Sequence, residues 1–364
     1  MVTALTGLGH QVDLLTYPQG ETVEIPGLRH RRSLGLPVGR VRPGPSFAKL
    51  LLDVPFMIEA VWRMAFGRYD VVHAVEEAAH LVAPFARVLR VPYLADVDSS
   101  IPDQLRYSGF ATRGPLVWLA EVLERHALRN ATAVVTVCSS LSDDVRARAP
   151  DARVFQIEDP PLVGPDPPDR AAVEALRSGL GLGAAPVVLY SGNFEPYQGV
   201  DLLVDAAAEI DSVQFLFMGG EPVEIDAMKD RARRSGAADR CVFAGKRPPE
   251  TLPLFLGLSS VLVSPRSRGT NTPFKLYTYM ASGKPIVATR IPTHTQLLED
   301  RVAWLVDPSA KGLAAGIRDA LANRDEAAAR AARARELVDR EYSATRYVEK
   351  VSRVYQSISS ASTR

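Results

Sequence analysis

The chain has 364 residues, enough for two domains of ordinary size with a core each, and its 46% hydrophobic and 23% charged fractions are globular values. A net charge of +1 excludes a general nucleic-acid-binding surface. Cysteines at 138 and 241 only exclude a disulfide framework and point to a reducing, cytoplasmic compartment.

The first residues, MVTALTGLGHQVDLL, lack the basic region and long apolar core of a signal peptide. Gly9 and His10 stop a first helix, and residues 11–17 alternate into a strand before Pro18. Short β-branched runs then alternate with helical patterns, which predicts parallel α/β units. Strands are expected over 28–32, 71–74, 92–97, 133–137 and 154–157, forming one sheet with 11–17. A helix over 47–66 is the most apolar, but Lys49, Asp53, Glu59 and Arg63 exclude a bilayer span. Between Ile25 and Leu52 there is no acidic residue, while Arg29, Arg31, Arg32, Arg40, Arg42 and Lys49 fall there. That one-sign segment is either a solvated loop or a contact for lipid phosphate, which would place the protein peripherally on the cytoplasmic face of a membrane.

Residues 158–170, EDPPLVGPDPPDR, are Pro-dense and polar, and read as a linker between domains at 1–165 and 166–341. The second strand series is expected over 187–190, 214–218, 240–243, 260–263, 285–288 and 303–306. Helices follow at 310–322, 325–340 and 342–357.

Residues 264–289, SPRSRGTNTPFKLYTYMASGKPIVAT, hold the densest chemistry. A strand end leads into Gly269-Thr270-Asn271-Thr272, Pro273 stands at the expected first helical position, and Gly283-Lys284-Pro285 stops the helix before 286–288. Free N–H groups and the positive end of such a helix suit a diphosphate. The order P-x-K-x-x-x-Y-M-A-x-G-K-P-I-V-A resembles the donor-site segment of family 4 glycosyltransferases of the GT-B fold. VVLYSGNFEPYQGVDLLVDAA (187–207) resembles that family's strand, Gly loop and helix. LFMGGEPVEI, VFAGKRPPETLPLFL, YDVVHA and VPYLADVDSS extend the likeness over nearly the whole chain.

The resemblance implies an α/β fold of two Rossmann-like, doubly wound parallel-sheet domains facing a cleft, with the terminal helix, within 342–364, returning to the N-terminal domain. It implies a nucleotide-diphosphate sugar held by the C-terminal domain and a glycan or lipid-linked acceptor held by the N-terminal one. Transfer would retain configuration without metal or cofactor. In that pattern a strand and a Gly-rich loop precede the first helix, and this sequence has residues for neither; either a downstream start or a truncated protein would account for it.

The donor-binding residues so implied are Gly192, Asn193, Gln198, Gly219, Glu221, Lys246, Asn271, Thr272 and Lys275, with Asp98, Thr270 and Thr278 at the reacting groups. The family's Arg and Lys positions hold Asn193 and Gln198 here, so the cation must come from Lys246, Arg247, Arg266, Arg268 or Lys275. Lys275 is the first choice against a reading as a solvated helix lysine. The family's paired glutamates, with seven residues between them, are Thr270 and Thr278, which cannot give a carboxylate's bidentate acceptance; Thr278 could simply bond back to its helix. Asp98 stands where the family has His, to orient a hydroxyl or to cap a helix near Ser99. Asp96-Val97-Asp98 mimics a D-x-D metal motif, a reading excluded by its surroundings, and the six His show no metal-ligand spacing. His73 reads as core. Two other readings remain, a nucleotide-sugar epimerase of this fold and a non-catalytic sugar-nucleotide-binding partner subunit.

Overall fold

The structure, a computed structural model, describes residues 1–39, 47–107, 114–164 and 166–362. They form two compact units, 1–158 with 347–364, and 159–346, so the boundary falls seven residues before the expected one.

Unit 1 begins with α1 (Val2–Gly7), β1 (Val12–Thr16), β2 (Leu28–Arg32) and α2 (Phe47–Phe66). It continues with β3 (Val72–Val75), α3 (Glu77–Leu89), β4 (Tyr93–Val97), α4 (Ile101–Tyr107) and α5 (Pro115–Asn130). β5 (Ala133–Thr136), α6 (Ser139–Arg148) and β6 (Val154–Gln156) complete the alternation. All pairings are parallel, but the strands do not form the single sheet expected. β1 pairs only with β2, while β3, β4, β5 and β6 form a separate four-stranded sheet. The physical reason is that no described strand bridges the backbone groups of β1 and β3. One face of the four-stranded sheet packs Ala74, Tyr93 and Val134 against α2, α3, α5 and α6. The other packs Leu94 and Val135 against α1 and the terminal helix.

Unit 2 runs through α7 (Arg170–Gly179), β7 (Val187–Ser191), α8 (Val200–Ala208), β8 (Gln214–Met218), α9 (Pro222–Arg234) and β9 (Cys241–Gly245). α10 (Leu252–Leu258), β10 (Val261–Ser264), α11 (Lys275–Ala281), β11 (Ile286–Thr289), α12 (Pro292–Thr295) and β12 (Trp304–Val306) follow. α13 (Ala310–Ala322) and α14 (Arg324–Glu341) close the unit, and α15 (Ala344–Ser362) is the terminal helix. The six strands lie in the order β12-β11-β10-β7-β8-β9, all parallel. Successive residues face opposite sides: Val187, Leu189 and Leu262 point to one core, Val188, Tyr190 and Val263 to the other. Both faces are covered by helices, which explains the unbroken apolar runs of the sequence.

Candidate functional site

In unit 2 the strand order reverses between β7 and β10, and it is at the C-terminal ends of the strands at such a point that a doubly wound sheet binds ligands. Two glycines let the loops close on each other. A Cβ on Gly219 (φ 119°) would stand 1.9 Å from the Gly192 carbonyl oxygen, and one on Gly199 (φ 68°) 2.1 Å from that of Pro265. Side chains are excluded at both points.

Lys275 opens α11 and its ammonium enters this crossing. Nζ lies 3.9 Å from the centroid of the Tyr190 ring and 3.3 Å from Gln198 Oε1. A Cβ on Gly192 would come within 2.8 Å of it. The lysine is thus packed under the β7 loop rather than solvated, and no carboxylate pairs with it among the described residues. Burial pushes its pKa well below the usual lysine range, and the nearby Arg266 charge adds to the shift. The π face of Tyr190 and the amide oxygen of Gln198 are partial compensation only.

The rest of the local chemistry holds this crossing in shape. Arg266, 6% exposed, donates to the carbonyls of Arg268 (3.0 Å) and Asn271 (2.9 Å) and to Asn271 Oδ1 (2.9 Å), and stacks 5.0 Å above the Tyr197 ring. The β10 loop therefore wraps its own guanidinium. His294, fully buried, donates from Nδ1 to the Thr289 carbonyl (2.7 Å) and accepts at Nε2 from Ser264 Oγ (2.9 Å). Burial lowers its pKa to about 4, so the ring is neutral at pH 7. The Thr289 hydroxyl donates in turn to the Arg266 carbonyl. The Tyr279 hydroxyl accepts from Ser191 N at 2.8 Å, tying α11 to the end of β7.

Several expected donors are committed elsewhere. Pro273 lies two residues before α11, a helix of seven residues, and the amides of Leu276 and Tyr277 close a tight turn on the Pro273 and Phe274 carbonyls. Those amides do not face a phosphate. Gly192 N–H is taken by the Met218 carbonyl, and exposed Asn193 accepts the Tyr190 hydroxyl at its own carbonyl, 2.6 Å. Thr272 is buried, and the Thr270 carbonyl accepts from Gln296 Nε2 at 3.3 Å. Thr278 does not bond back to its helix; its buried hydroxyl accepts from Leu162 N–H at 3.1 Å, fastening the start of unit 2 to α11. Glu221 caps α9 in a reciprocal box with Glu224 and pairs with Lys246 at the surface, so these two residues satisfy one another.

In unit 1, Asp98 follows β4 at its C-terminal end. Asp96 is bound instead to His73, whose Nε2 is 2.8 Å from Asp96 Oδ2 and whose Nδ1 is 2.8 Å from the Tyr355 hydroxyl. His73 is thus half-buried and hydrogen-bonded within the unit, joining β3, β4 and α15. The first amide of α4, Ile101 N–H, donates to Glu124 Oε1 at 3.1 Å. The basic segment of residues 29–49 is largely compensated where described. Arg29 and Arg31 face Asp13, Arg32 donates to the Gly20 carbonyl, and Lys49 pairs with Glu77. Arg40 and Arg42 lie outside the described residues.

Residues 1–158 match the glycosyl transferase 4-like domain, and residues 185–323 match the glycosyl transferases group 1. The chain is 30% identical over 200 residues to the alpha-D-kanosaminyltransferase of Streptomyces kanamyceticus, 52% of this chain and 50% of that protein. It therefore spans about half the length of that relative. Among solved structures, a sucrose-phosphate synthase from Thermosynechococcus elongatus superposes with a TM-score of 0.81 at 22% identity, over 99% of this chain and 92% of the other. HepE of Anabaena, solved in complex with UDP-glucose, gives 0.71 at 18% identity over 86% and 89%. At these identities the superpositions show the fold: two Rossmann-like parallel-sheet domains of the GT-B type.

Proposed function

Because the chain belongs to the GT-B glycosyltransferases of the family 4 type, we propose that it transfers a hexose-type sugar, with retention and without a metal, from a nucleotide-diphosphate sugar to a glycan or lipid-linked acceptor. The observation that carries the donor half is the enclosed Lys275 ammonium at the switch point of unit 2, short of negative charge and walled by Tyr190, Gln198 and Gly192. A diphosphate supplies the anion this lysine lacks, in a site whose donors are fixed before the ligand arrives. The departing phosphate oxygen can itself take the acceptor's proton, so neutral Thr270 and Thr278 are compatible with turnover.

The test is a calorimetric screen of UDP-, GDP- and dTDP-sugars, followed by product formation and the anomeric coupling of the product by NMR. Selective binding of one sugar nucleotide and an unchanged anomeric configuration are expected. Interconversion of free sugar nucleotide without acceptor would make the protein an epimerase, and binding with no turnover a partner subunit.

A further inference from the structure

We infer that unit 1 docks on an anionic lipid surface through the outer face of α2, α3 and α5. These three helices bury their inner sides in one core on the same face of the four-stranded sheet, α2 against α3 and α3 against α5, so their outer sides form one layer. α2 is apolar where a surface helix is normally polar. Every exposed residue of it whose side chain is described is apolar, including Leu51, Val54, Ile58, Trp62 and Phe66, at spacings of three or four. That stripe runs about 23 Å along the helix. The charged residues of α2 turn aside and are engaged within the unit: Lys49 with Glu77, Glu59 with Arg63, and Asp53 with the Tyr17 hydroxyl. α3 adds exposed Val88, and α5 adds Trp118, Leu119 and Val122.

The charge on this layer decides what covers it. Arg87 on α3 and Arg125 and Arg129 on α5 are exposed, as are Arg68 and Arg90 at the ends of α2 and α3. No Asp or Glu is exposed on the three helices among the described residues. With α3 between α2 and α5, a second copy meeting this face about a two-fold axis through α3 would lay the arginines of α5 on the apolar stripe of α2, with no exposed carboxylate of the three helices to pair them. A bilayer with anionic headgroups offers apolar depth for the stripe, an interfacial zone for two tryptophans, and negative charge for the arginines. Among the described residues no helix is long and apolar enough to cross a membrane, so the layer would lie on the surface. This inference uses none of the donor-site residues and is independent of the proposed reaction.

Trp62 and Trp118 are 59% and 63% exposed while Trp304, the third tryptophan, is 6% exposed, so tryptophan emission reports mainly on this face. The full chain should sediment with vesicles of phosphatidylcholine plus phosphatidylglycerol at least about tenfold more tightly than with phosphatidylcholine alone, with a blue shift of emission. Ile58→Gln with Trp62→Gln should lower that binding about tenfold or more, and Arg125→Gln with Arg129→Gln should lower it and flatten its salt dependence. All four positions are exposed, and unchanged circular dichroism melts confirm folding. Failure to bind anionic vesicles, or binding by either double variant as tight as the wild type's, overturns the inference. So does a lipid-free dimer that Ile58→Gln with Trp62→Gln returns to monomer, which would give the face to a second copy.

Discussion

Lys275 and Lys246 were both candidates for one phosphate, and their surroundings are opposite. Lys246 stands after β9 with its side chain 62% exposed and paired with Glu221. Lys275 stands after β10 under the Gly192 loop, over an aromatic ring, with a second cation, Arg266, close by. An exposed pair is already satisfied, whereas an enclosed cation short of negative charge gains more from an incoming anion than either residue of the pair could. The comparison can be broken at four points, taken from the largest expected effect to the smallest.

The enclosure depends on the glycine crossing, so Gly219→Ala should have the largest effect. It places a methyl group against the Gly192 carbonyl oxygen in a backbone conformation that disfavours any side chain. A loss of about 3 kcal/mol or more is expected in urea unfolding, together with loss of donor binding. Gly236→Ala is the control: its φ is 73°, but nothing lies within 4 Å of the added carbon, so only the strain of about 1 kcal/mol should appear. Equal losses for the two would mean that the loops are not closed on each other over Lys275.

Lys275→Ala comes next. It should weaken a nucleoside diphosphate roughly ten- to a hundredfold in calorimetry and the bare nucleoside hardly at all, the signature of one charge-assisted hydrogen bond of about 1.5 to 3 kcal/mol. Lys275→Met should raise the stability of the free protein, because it replaces an enclosed and only partly compensated cation with an apolar chain of similar length. The pH dependence has a definite sign. A lysine whose folded pKa lies below its unfolded one destabilises the fold as pH falls below about 10.5, so wild-type stability should rise with pH in that range. The slope should flatten in Lys275→Met. A parallel loss of both ligands would remove the phosphate role.

The sequence disclosed the parts of this site that lie close together in the chain. Pro273 and Lys275 stand out within sixteen residues of motif, and the strands of unit 2 are visible as apolar runs because both of their faces are buried. It did not disclose what surrounds Lys275, since Tyr190 comes from β7 and Gln198 from the segment after it, both more than seventy residues earlier. Thr278 aligned with a glutamate position, but nothing local foretold that Leu162 N–H would take its hydroxyl. The separation of β1 and β2 from the other four strands of unit 1 accords with the lack of residues for a strand before the first helix, which the sequence did disclose, although a single sheet was expected. His294 shows no ligand spacing, yet joins β10, β11 and α12 through a bond network that only the folded sheet assembles.

That histidine gives the third test. Its folded pKa of about 4 lies below the unfolded value of 6.5, so the unfolded chain takes up the proton first as pH falls through that window. The wild type should therefore lose about 2 kcal/mol from this group by pH 5. His294→Gln loses part of the network at pH 7 but cannot titrate. Its deficit against wild type in urea unfolding should narrow between pH 7 and pH 5. A deficit that stays constant would mean that the folded ring titrates as readily as the unfolded one, and a deficit that widens would mean that the ring is charged in the folded protein at pH 7; either result would make the buried, neutral assignment between Ser264 and Thr289 wrong.

Lys246→Ala should have the smallest effect, and the contrast with Lys275 rests on it. The variant removes one half of a surface ion pair whose other half, Glu221, keeps its place through the capping box with Glu224. Exposed pairs contribute about 0 to 1 kcal/mol, so stability should change by less than about 0.5 kcal/mol. Diphosphate affinity should fall by less than about twofold, since a cation already paired in water adds little to an anion that must displace its partner. Both quantities come from the titrations and melts used for Lys275→Ala. A tenfold loss in Lys246→Ala would show that the Glu221 pair opens when donor binds, and would move the phosphate towards β9 and away from the enclosed lysine.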